Sequence, residues 1–124
     1  MKEGDVVLTQ VPQADGTLKT RPALILREMP PFRDFLVCGI STQVQHAVPG
    51  FDEMVSPKAP DFNTSGLVAE SVIRLGFLAL LPRKRVAGGI GSISPERHAR
   101  LLRRLSAYLV QKVQGTPDRR MELP

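Results

Sequence analysis

There is no tryptophan in this chain and one cysteine; two histidines, five phenylalanines and one tyrosine stand among its 124 residues. A lone thiol, Cys38, cannot close an intrachain disulfide and excludes a cysteine-cluster metal site. His46 and His98 lie far apart in sequence, too few to anticipate a zinc ligand set, so no metal or cofactor is expected. Long apolar runs are missing too. The best stretch, Val72–Leu81, is interrupted by Arg74 and Gly76, and it falls far short of the roughly 18 apolar residues that a membrane-crossing helix needs. The opening Met1-Lys2-Glu3-Gly4-Asp5 holds two acids and no apolar stretch behind a basic head. The expectation is a chain with no secretory signal and no membrane partner, at work in the cytoplasm. Gly88-Gly89-Ile90-Gly91 lacks the Lys-Ser/Thr of a phosphate loop and the spacing of a dinucleotide fingerprint.

What is present fits one globular domain: 42% hydrophobic and 23% charged residues in a 124-residue chain. The domain is expected over residues 1–114, with 115–124 a loose tail. Its charge is uneven. Residues 1–81 carry seven basic and nine acidic side chains, residues 82–124 ten basic and three acidic. A basic end points either to an acidic partner such as nucleic acid or to a solvated helix face.

Gly4–Val11 is rich in aliphatic and β-branched residues and predicts a first strand; Asp15-Gly16 is a hairpin-turn dipeptide, and Arg21–Arg27 predicts the second strand. Phe35–Ile40 makes a third, leading into Ser41-Thr42-Gln43. Residues 44–66, with three prolines and two glycines, read as a long excursion with a short strand at Glu53-Met54-Val55. β character resumes over Leu67–Leu81, with a bulge or bend at Gly76, and again over Arg85–Ile93. Ser94-Pro95 is a helix start, and Leu101, Leu102, Leu105, Leu109 and Val113 recur at helical spacing. Arg100, Arg103 and Arg104 occupy the other side with Arg97 on the flank, so the helix is expected to lie on the sheet by its leucines and show its arginines outward. Gly115 and Pro117 would stop it. The pattern predicts a mainly β fold, a small antiparallel barrel or two-sheet sandwich with one C-terminal amphipathic helix.

Three segments, in order, resemble the MazF/PemK/Kid family of toxin ribonucleases from toxin–antitoxin systems: Gly4-Asp5-Val6-Val7-Leu8, then Asp15-Gly16 with Arg21-Pro22-Ala23-Leu24-Ile25-Leu26, then Ile40-Ser41-Thr42-Gln43. Gly66–Arg74 and the late helix also sit where that family has equivalents, so the likeness spans about residues 3–112. The resemblance implies an SH3-like barrel, usually a homodimer, that cuts single-stranded RNA without metal, inhibits growth and is held by a cognate antitoxin. By motif it carries catalysis to Arg21 and Thr42. Two alternatives stay open: a same-fold toxin that poisons a protein such as DNA gyrase, and a barrel that binds RNA or a peptide without cutting.

Side-chain chemistry gives these residues work to do. Metal-free RNA cleavage needs the 2′-hydroxyl to attack phosphorus, leaving a 2′,3′-cyclic phosphate, while a fixed guanidinium bonds the charged phosphorane. Arg21 is the candidate for that clamp; a guanidinium is a poor general base. Thr42 can donate its hydroxyl to a phosphate oxygen, with Ser41 as the neighbouring substitute. Gln43, Gln45, His46 and Asn63 can bond base edges or phosphate, and Phe51 and Phe62 are the expected stacking rings. Arg74, in an otherwise apolar strand, must point outward or find a partner, RNA phosphate among them. Cys38 reads as a small core residue and His98 as a helix-surface residue.

Overall fold

The computed structural model describes residues 1–12 and 14–112; Val113, the expected helix stop and the tail 115–124 lie outside the described residues. Six antiparallel strands, β1 (Asp5–Pro12), β2 (Leu18–Met29), β3 (Asp34–Ser41), β4 (Glu53–Val55), β5 (Ser71–Leu81) and β6 (Val86–Ser92), form one sheet in the order β4-β5-β3-β2-β1-β6. The turn between β1 and β2 is tied by Asp15, whose Oδ1 accepts hydrogen bonds from the Thr17 backbone N–H and hydroxyl.

Both faces of this sheet are apolar, and that decides its shape. On one face Leu24, Leu26, Cys38, Ile40, Ile73 and Leu75 are buried under Leu101 and Leu105 of helix α2 (Pro95–Leu109). On the other, Val7, Ala23, Ile25, Phe35, Val37 and Val86 bury against one another. One helix covers the first face, and the second is covered by the curl of the twisted sheet itself. The expected barrel is therefore a curled but open sheet, since β4 and β6 remain its edges. A short helix, α1 (Phe62–Ser65), packs onto β6, and a Cβ on Gly66 would collide with the Ile90 carbonyl, one on Gly91 with the Thr64 carbonyl. The glycines that loosen β6 are thus a place for α1 to sit.

Two expectations shift. β5 begins at Ser71 rather than Leu67, because residues 67–70 pair with no strand among the described residues. Its register against β3 slips after Cys38↔Leu78 to Gly39↔Arg74, leaving Leu75, Gly76 and Phe77 unmatched in a bulge at the anticipated glycine. The bulge reverses the alternation: Ile73 and Leu75 point toward α2, whereas Phe77, Ala79 and Leu81 line the opposite face, together with Arg74.

The second shift concerns α2. Ser94 caps it as expected, its side chain accepting from the Arg97 N–H at 3.1 Å, and Pro95 opens the first turn. Its arginines do not all face outward. Arg97 is buried, making a two-pronged pair with Asp61 (2.8 and 3.0 Å) and a bond to Glu53 at 2.9 Å. Arg100 and Arg104 also reach Glu53, at 2.6 and 3.2 Å. The physical reason lies in residues 44–66, which carry two carboxylates under the helix, where burial demands compensating charge. Leu101 and Leu105 are buried and Leu102 half-buried, but Leu109 is exposed. The excursion itself is ordered into a 3-10 turn (Val44–His46), β4 and α1.

Candidate functional site

The face of the sheet away from α2 carries a groove of about 540 Å³, formed where β1, β2, β3 and β5 run side by side. Thr9 pairs with Arg21 across β1 and β2, and Ala23 with Gly39 across β2 and β3. Two residues on in the same alternation, β2 reaches Arg21 and β3 reaches Ser41, so both end on this face. Sheet alternation supplies Arg21, Ser41 and Arg74, the β5 bulge supplies Phe77, and the turn before β6 supplies Arg85; all five line the groove with Gln10 and Gln43.

Its electrostatics are one-sided. Among the described residues, neither Arg21, Arg74 nor Arg85 has a carboxylate within ion-pair distance, whereas Arg27, Arg33, Arg83, Arg97, Arg100 and Arg104 all do. Like-charged guanidiniums left together in a concave site attract an anion, and repeated along a groove they suit a chain of phosphates. The Ser41 hydroxyl oxygen accepts the Gln43 N–H at 2.9 Å, which leaves its O–H free to donate into the groove.

The expected site residues fall into three groups. Arg21, Ser41, Gln43 and Arg74 come together in the groove. Thr42, Gln45 and His46 stand exposed on the segment leaving β3; Thr42 occupies the bend after the strand, and Gln45 donates its amide to the Gln43 side-chain oxygen at 2.8 Å. Phe51 and Phe62 are brought elsewhere: both pack against the core under α2, and the Phe51 ring lies 5.2 Å from that of Tyr108. Their apolar rings complete the core that α2 alone leaves open. Asn63 sits exposed on α1, which packs against β6.

Sequence reasoning missed Arg85, Gln10 and Phe77. The first is one of three consecutive cations and the second an exposed strand glutamine, neither with a distinguishing signal. The glycine before Phe77 marked the bulge that turns its ring onto this face.

Two reactive-looking groups have structural roles. The Cys38 thiol is buried, and burial, aided by the negative charge of Asp52, pushes its pKa up to about 12, which removes it as a nucleophile. His98 is half-buried rather than a surface residue, its Nε2 2.9 Å from the Leu26 carbonyl oxygen; as donor it ties α2 to β2.

These features define the class: a small β-domain with a cation-lined groove on one face and a helix locked across the other. More particularly, the chain belongs to the PemK-like, MazF-like toxins of type II toxin–antitoxin systems, matching that family over residues 2–109. Its fold is similar to that of the Mycobacterium tuberculosis toxin MazF-mt6, with a TM-score of 0.61 and 21% identity over 87% of this chain and 99% of that one. No curated protein sequence matches it significantly. Membership makes the chain a toxin whose natural partner is a cognate antitoxin. No helix among the described residues is long and apolar enough to cross a membrane.

Proposed function

We propose that this toxin is a metal-independent endoribonuclease that cuts single-stranded RNA in the Arg21 groove and acts in the cytoplasm. The observation that carries the reading is the set of three guanidiniums, Arg21, Arg74 and Arg85, gathered in one groove without carboxylate partners among the described residues. Unpaired guanidiniums beside free hydroxyl donors match the demand of RNA cleavage, because negative charge accumulates on the phosphorane as the 2′-hydroxyl attacks.

In this reading Arg21 clamps two phosphate oxygens in the transition state, and Thr42, with Ser41 beside it, donates a hydroxyl to the same phosphate. Arg74 and Arg85 hold flanking phosphates and position the strand. Gln43, Gln45 and His46, on the segment leaving β3, contact bases. The products are a 2′,3′-cyclic phosphate and a free 5′-hydroxyl.

The toxin is further proposed to be a homodimer. Beyond the bulge, β5 pairs with β3 on one side, and among the described residues no strand covers its outer edge from Gly76 to Leu81. That edge displays Leu78 and Leu80, 39% and 56% exposed, on the face away from the groove. An open edge with apolar side chains invites a second copy.

Incubating the purified chain with mixed-sequence RNA in excess chelator tests the reading. Fragments ending in 2′,3′-cyclic phosphate are expected. Intact RNA, together with inhibition of DNA gyrase in a supercoiling assay, would replace it with the protein-directed alternative.

A further inference from the structure

We propose that Phe77 is the base-stacking platform of the groove, seated by Gly39 and Arg74 to receive one unpaired RNA base. This rests on the ribonuclease reading and deepens it by naming a residue that sets nucleotide preference.

The other aromatic rings are accounted for or distant. Phe35 is buried beneath the Arg83 guanidinium, Phe51 and Phe62 pack on the core, and Tyr108 pairs with Phe51. Phe32 is exposed on the turn between β2 and β3, outside the groove. Phe77 alone lines the groove, and it does so 59% exposed.

An exposed phenylalanine is ordinary on a protein surface, but this one is held in place. It lies over Gly39, close enough that a Cβ there would sit 2.7 Å from the ring Cδ2. The Arg74 guanidinium carbon lies 5.5 Å from the ring centroid, a cation–π arrangement. The bulge that turns the ring into the groove is itself tied down: Asp52 accepts the Leu75 N–H at 3.0 Å, satisfying a donor in the residues that the register leaves unmatched.

The neighbourhood then specifies the occupant. A flat aromatic beside a guanidinium, in a groove lined by two more, matches a nucleotide: the base stacks on the ring while its phosphates meet the arginines.

The chain contains no tryptophan, so Phe77→Trp introduces one indole at the proposed contact, excited selectively at wavelengths that Tyr108 does not absorb. A 2′-O-methyl RNA hexamer of mixed sequence, which lacks the attacking hydroxyl and cannot be cut, should quench that emission on binding. Phe77→Ala should weaken hexamer binding about tenfold by fluorescence anisotropy, within the range for one base–aromatic stack, and change the mapped cut sites. Phe77→Tyr should restore both, and Gly39→Ala, which displaces the ring, should behave like Phe77→Ala. The proposal is overturned if Phe77→Ala binds the hexamer and cuts RNA as the wild type does; the ribonuclease reading then stands without it. It is also overturned if sedimentation shows that Phe77→Ala changes the assembly mass, which would make the ring part of a contact with a second copy. If the wild-type chain neither binds the hexamer nor cuts RNA, the ribonuclease reading falls and the stacking proposal with it.

Discussion

On one side of the sheet, three arginines of α2 converge on Glu53, and one of them also grips Asp61. On the other, three arginines from β2, β5 and the turn before β6 face a groove with no carboxylate of the described residues in reach. The residue type is the same and the consequence opposite. In the first set each positive charge answers a buried negative one and binds the helix to the excursion between β3 and β5. In the second the charge is uncompensated and available to a ligand. The basic end of the chain is therefore a poor guide to the partner surface: much of its charge in α2 is consumed internally, while Arg21 and Arg74 come from the half with a net acidic balance.

Breaking the first set should cost the most. Arg97→Ala leaves Asp61 and Glu53 facing each other without their shared cation, and removing one partner of a buried pair typically costs about 3–5 kcal/mol. Urea denaturation is expected to show a loss of that size. An unchanged midpoint would mean that the carboxylates find other partners.

The mirror experiment is Arg21→Ala. An exposed strand arginine without an ion pair should change stability by no more than about 0.5 kcal/mol. Losing the phosphate clamp should slow RNA cleavage by roughly 100- to 1,000-fold. A variant that is slow because it is unfolded would collapse the contrast between the two sets, so both measurements belong together.

A third substitution probes the link between the two faces. Asp52 accepts the Leu75 N–H in the β5 bulge and the Val48 N–H in the excursion, and its own backbone carbonyl accepts from Arg104. Asp52→Ala orphans a half-buried amide, at about 1–3 kcal/mol. It should also loosen Arg74 and Phe77, raising KM for RNA more than it lowers kcat. Equal changes in both parameters would argue that the bulge holds without it.

The gentlest test is pH. The Arg97 guanidinium, with help from the Ser94 N–H, lowers the Asp61 pKa from 3.8 to about 2. Because the folded value is depressed, the stability it contributes is full above the unfolded pKa near 4 and is lost as pH falls toward 2. The stability gap between wild type and Asp61→Asn should therefore be constant near neutrality and shrink between pH 4 and pH 2. A gap that stays constant through that window would show that the pair does not titrate as the geometry implies.

Much of the fold is legible in the chain because its signals are local. The strands around Val6, Leu24 and Val37, the short strand Glu53–Val55, the bulge at Gly76 and the Ser94-Pro95 helix start each follow from nearby residue types. The candidate site is legible in part. Arg21 and Ser41 reach one groove by simple alternation along neighbouring strands, whereas Phe77 reaches it only because the register slips by several residues. Phe51 and Phe62 looked like groove residues on the strength of a loop address and instead complete the core.

By itself, the sequence determined the mainly β class, the capped helix and the family likeness carried by Gly4-Asp5, Arg21-Pro22-Ala23 and Ser41-Thr42, because propensity, capping and motif all act within a few residues. Only the tertiary structure decided which charges are neutralised and which face a ligand. Arg97 meets Asp61 across 36 positions and Arg100 meets Glu53 across 47, and what a charge does depends on the neighbour and the solvent it finds after folding, neither of which is written beside it in the chain.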